Sequence, residues 1–159
     1  MNYAKIIGNV ISLPKNRMCR LSLHSLFALV LLAIGAFIYL MFRSPNLVIF
    51  KWCESLGFLD YVMKYRDQFV DTDIGIFSKY CLPDGLWIAS YVILIHAIIP
   101  KEDKNMLLFW SFILPFIAIL FELLQIPGLI PGTFDFLDLI SYIVPLLIYI
   151  IYLKYEKAI

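Results

Sequence analysis

The sequence predicts an all-α membrane protein: a four-transmembrane-helix bundle with an amphipathic interfacial helix in the long outer loop. Three observations carry this expectation. Of the 159 residues, 62% are hydrophobic and 16% charged, against roughly 45–50% and about 25% in soluble domains. Mean hydropathy is +0.87. The apolar residues fall in runs close to the roughly 20 that a bilayer core requires, separated by polar turns. The length suits one small bundle without a separate soluble domain. A net charge of +1 and no basic stripe give no electrostatic footprint for nucleic acid.

Residues 1–22 read as a cytoplasmic N-terminal segment bearing Lys5, Lys15, Arg17 and Arg20 and no acid. Residues 23–159 read as one four-span membrane domain. The first span runs from Leu23 to about Phe42. It exceeds the h-region of a signal peptide, about 7–15 residues, and no small-x-small cleavage site follows it. Pro45 lacks an amide donor and pushes Ser44 out of helical geometry, which ends the span.

Residues 46–81 form the longest and most polar connection. Leu47, Val48, Phe50, Trp52, Leu56, Phe58, Leu59 and Val62 are interleaved there with Lys51, Glu54 and Asp60. That mixture predicts an amphipathic helix over 46–62 lying in the interface, then a polar turn and a short second helix over 64–81. Pro83 suits the start of the second span, Leu82 to Ile99, because its missing N–H is no loss there. Asp84 falls in the first turn, where exposed amides favour negative charge. The turn 100–105 leads to a third span, Met106 to Gln125, kinked at Pro115. The turn 126–135 leads to a fourth, Phe136 to about Leu153, which carries Pro145.

Four spans place both termini on one side. The N-terminal segment, the 100–105 turn and the tail hold four, two and two Lys/Arg residues. The opposite side holds five in a far longer, acid-balanced loop and none in 126–135. Both termini are therefore expected to be cytoplasmic. Asp84, Glu122, Gln125, Asp135 and Asp138 then belong together on the outer face.

Those five residues are the candidate ligand-binding set. Glu122 and Gln125 share a helix face, and Asp135 and Asp138 repeat the spacing. A carboxylate inside a span is costly and needs a partner or a task. Such a group can serve as an acid–base pair, hold a hard cation, or dock an ammonium. Simpler roles compete with these: a helix cap or first-turn charge for Asp84 and Asp138, a turn residue for Asp135, and hydrogen bonding to Gln125 for Glu122. No nucleophile signature, phosphate loop or histidine pair is present. No cofactor and no metal is expected, since Cys19, Cys53 and Cys81 fit no ligand spacing. Cys53 and Cys81 share one side, and their pairing stays open. His24 and His96 read as residues at span edges. Tyr39, Trp87, Trp110, Tyr142 and Tyr152 read as an aromatic belt.

Glu122-Leu-Leu-Gln125, a short turn, and Asp135-x-x-Asp138 opening the last span resemble the E-x-x-Q … D-x-x-D pattern of VanZ-like membrane proteins. Leu82-Pro-Asp-Gly-Leu-Trp87 looks like the form a subset of that family has at its second span. The resemblance covers roughly residues 80–150. Many members carry an Asn near the second-span start and an Arg in the turn between the two motifs; residues 126–134 hold no basic residue. The family is named for a protein associated with teicoplanin resistance. The resemblance implies a multi-pass protein of the bacterial plasma membrane acting at the envelope face. The expected function is an outward acidic pocket that binds a polar or cationic group of a lipid, cell-wall or glycopeptide-type ligand. The alternatives are a membrane-embedded enzyme using Glu122 and Asp138 as an acid–base pair on a lipid-linked substrate, or a structural subunit of a membrane complex. Membrane lipids are the expected partners, and the oligomeric state stays open.

Overall fold

The computed structural model describes residues 15–69 and 71–158. Seven α-helices carry the described chain: α1 (Lys15–Phe42), α2 (Val48–Ser55), α3 (Leu59–Arg66), α4 (Ile76–Tyr80), α5 (Leu82–Ile98), α6 (Lys104–Gln125) and α7 (Phe136–Ala158). Lys5 and the rest of residues 1–14 lie outside the described residues. From Lys15 onward the expected N-terminal segment is helix, continuous with the first apolar run.

Among the described residues, three helices are long and apolar enough to cross a membrane: Leu21–Phe42 within α1, α6, and Phe136–Tyr155 within α7. α5 is as apolar but shorter, at 17 residues. Large side chains stand exposed along the three long helices, among them Leu23, Phe109, Phe116 and Ile148. Contiguous apolar surface of that extent has to be covered by something other than water.

α5 is the organising element, packing on α1 along one side and on α7 and α6 along others. Small residues set the closest approaches. A Cβ on Gly35 of α1 would meet the Trp87 ring at 2.8 Å, and one on Gly85 of α5 would meet the Ser141 carbonyl of α7 at 3.1 Å. The Ser90 hydroxyl donates to the buried Ala28 carbonyl at 2.8 Å, tying α5 to α1. The Tyr91 hydroxyl donates to the Trp110 carbonyl and ties α5 to α6. Ile88, Val92 and Tyr149 form the buried apolar centre.

The long connection departs from the single interfacial helix expected over 46–62. α2 ends at a Schellman closure, in which the Gly57 amide donates to Glu54 and the Phe58 amide to Cys53, each at 3.0 Å. Gly57 has φ 77°, a conformation only glycine adopts without strain. α3 restarts after it and folds back on α1, where Arg66 donates to the Leu40 carbonyl at 2.7 Å. That bond satisfies one of the orphan acceptors in the last turn of α1. Cys53 and Cys81 are both buried free thiols, not a disulfide.

Candidate functional site

The N-terminal ends of α5 and α7, the C-terminal end of α6 and the α1 end near Arg43 meet at one end of the molecule. The α6–α7 turn is built by glycine. The Gly128 amide donates to Gln125 at 3.0 Å and the Leu129 amide to Leu124 at 3.1 Å, a second Schellman closure with Gly128 at φ 72°. Gly132 then lies against Gln125, whose side-chain amide would sit 2.8 Å from any added Cβ.

Glu122 is 5% exposed. Its Oε1 accepts the Asp135 amide at 2.7 Å, and its Oε2 accepts the Gln125 side-chain amide at 3.4 Å. Glu122 is therefore a clasp between the end of α6 and the start of α7. Asp135 is the cap of α7: its Oδ1 accepts the Leu137 amide at 2.8 Å. The capping role falls on Asp135, while Asp138 is a first-turn charge of α7, the other of the two roles the sequence allowed it.

Asp135-x-x-Asp138 has the spacing of a capping box, in which the second acid would reach back to the amide of the first. Here Glu122 already holds that amide. Asp138 is released from the box, and its Oδ1 is buried with no hydrogen-bond partner. The Cys81 thiol, just ahead of α5, points at the Asp138 carboxyl; burial, then that contact, push the thiol up to about 12. Asp84, in the first turn of α5, lies within the electrostatic reach of Asp138 and Glu122. Asp135 and Glu122 likewise act on Asp138. The five residues expected at one site thus lie at one end of the molecule, in distinct roles: Glu122, Gln125 and Asp135 build the turn, while Asp84 on α5 lies within electrostatic reach of Asp138 on α7. Among the described residues no group of three His, Cys, Asp or Glu side chains is placed to hold a metal ion.

The structure adds a cation that the sequence did not point to. Arg43 acts electrostatically on both Asp84 and Asp138. It is held by Tyr80 and Tyr39, with the guanidinium carbon 4.9 Å and 5.2 Å from their ring centroids. It also donates to the Tyr80 carbonyl at 3.4 Å. Tyr39 in turn stacks on Trp87 at 5.2 Å. Trp87 is half-buried and packs against α1, with its Nε1 buried without a partner. Tyr142 lies in the field of Asp84, Asp138, Glu122 and Arg43.

A second polar cluster lies at the opposite end of α5. His96 stands in the last turn of α5, at the span edge expected of it, but it is 4% exposed and so faces the interior. Its Nδ1 and the Ser111 hydroxyl each lie 3.2 Å from the Tyr149 hydroxyl, and Tyr152 packs edge-on against its ring at 5.3 Å. The signal was weak: these are neutral residues on separate helices with no shared spacing. No family model, no curated protein and no solved structure matches the chain.

Proposed function

We propose that the chain is a VanZ-like four-span protein of the bacterial plasma membrane, with α5 as its second span and both termini cytoplasmic. Its acidic end then faces outward and binds a polar or cationic group of a lipid, cell-wall or glycopeptide-type ligand, with a role in glycopeptide resistance. One observation supports this reading above the others: Asp138 is released from helix capping, presents an unpartnered oxygen, and stands in the field of Asp84. Two acids of like sign, held together across helices, lower their mutual repulsion when a cation settles between them.

The membrane-enzyme alternative loses its expected pair at Glu122, because both oxygens of that group are engaged in the turn. The structural-subunit reading is favoured for Glu122 alone, by those same bonds. The test uses purified protein in detergent, titrated with glycerophosphoethanolamine, teicoplanin and an amine-bearing muropeptide, and compared with Asp84→Asn and Asp138→Asn variants. Saturable binding that either substitution abolishes, at unchanged membrane abundance, is the expected result. Equal binding by wild type and both variants would sink the reading.

A further inference from the structure

α1 and α7 both pack on α5 but hardly on one another, which leaves an apolar groove with α5 as its floor. The groove has a volume of about 550 Å³ and runs from Phe77 and Cys81 to His96 and Tyr152. At 1.5 Å per residue, the α5 stretch from Cys81 to His96 makes it about 22 Å long. One leaflet of a roughly 30 Å hydrocarbon core supplies about 15 Å, so a whole acyl chain fits within the groove.

Its acidic-end mouth is not apolar. Cys81 and Ser141 line that mouth. The Cys81 thiol touches the Asp138 carboxyl, and the Ser141 hydroxyl donates to the Asp138 carbonyl at 2.7 Å. Beside these acids stands Arg43, whose planar guanidinium carries five N–H donors suited to phosphate. Arg43, through its bond to the Tyr80 carbonyl, and Asp138, through Cys81, stand just behind the residues that line that mouth. A simple cation would leave Arg43 unmatched, and a simple anion would be repelled by Asp84 and Asp138.

We infer that the groove is a binding site for an amine-bearing phospholipid. One acyl chain lies on α5 between α1 and α7, the phosphate meets Arg43, and the ammonium meets Asp138 and Asp84. The inference rests on the proposed role of the acidic end as a ligand site, and adds to it the ligand class, the phosphate contact and the chain track. Phosphatidylglycerol offers the phosphate without the ammonium. Glycerophosphoethanolamine offers the headgroup without the chains.

Native mass spectrometry of the full chain, released from detergent after incubation with equimolar phosphatidylethanolamine and phosphatidylglycerol, tests it. Phosphatidylethanolamine should be retained about tenfold over phosphatidylglycerol, a difference near 1.4 kcal/mol. Arg43→Gln should lower that retention about as much. Ala89→Trp, which fills the groove floor, should lower retention of the lipid while leaving glycerophosphoethanolamine binding intact. Should that variant misfold by gel filtration, Val144→Trp on the α7 wall serves instead, since Val144 is 45% exposed. Equal retention of both lipids overturns the inference, as does wild-type retention by the tryptophan variants. Headgroup binding that survives alongside either result leaves the acidic-end reading standing. Loss of headgroup binding in the wild type removes both.

Discussion

The two polar ends of α5 are built on opposite principles. At the histidine end, His96, Ser111 and Tyr149 meet around a single hydroxyl, and all three are buried. At the acidic end, Glu122 and Asp135 close a turn, while Asp84 and Asp138 share one sign of charge and Arg43 stands near without closing on them. A cluster whose members bond each other serves the scaffold. One with like charges and an unpartnered oxygen needs something from outside.

The largest effect expected is within the acidic end itself. Glu122→Leu removes the acceptor of the Asp135 amide and should cost about 3 kcal/mol, the upper range for a hydrogen bond to a charged group. Glu122→Gln keeps a carbonyl acceptor and should cost about 1 kcal/mol. Thermal unfolding in detergent separates the two, and equal losses would deny the clasp. Next, Tyr149→Phe deletes the hydroxyl shared at the histidine end and should cost about 1–2 kcal/mol with ligand binding unchanged. A loss of binding there would erase the contrast between the ends. Asp138→Asn should move stability by less than about 0.5 kcal/mol yet abolish binding.

The smallest effect concerns Cys81. Its thiol, raised from 9.0 to about 12, keeps its proton in the folded chain where the unfolded chain has lost it. The associated stability is therefore intact below pH 9.0 and declines as pH climbs from there towards 12. Alkylation at pH 8 should be slow in detergent and fast in a denatured control. Asp138→Asn should speed labelling at pH 8 by removing the neighbouring negative charge that helps keep the thiol protonated.

What could be read from the chain before its structure follows from distance along it. Glu122 and Gln125 are joined to Asp135 and Asp138 by residues 126–134, whose glycines announce a turn, so their meeting was legible. Asp84 was placed with them through span order alone. Arg43 was not, because it reaches the site only after α1 lies along the whole of α5, and its contact with Tyr80 crosses 37 residues. The break at Gly57 was visible as a glycine but was overridden by the apolar pattern on both sides. The His96 cluster draws one neutral residue from each of α5, α6 and α7, a pattern that no spacing within one helix reveals.

The brevity of α5 has one more consequence. At 17 residues it is about 26 Å long, some 4 Å short of a typical hydrocarbon core. α1, α6 and α7 around it are long enough to keep the full thickness. In the four-span reading the bilayer must dip at the centre of the protein, or water must enter to meet the recessed helix end. Where the recess falls at the acidic end and water fills it, Asp84 lies at the bottom of a hydrated well and not at the surface. Depth of solvent entry, not only charge, would decide which molecules reach the acids.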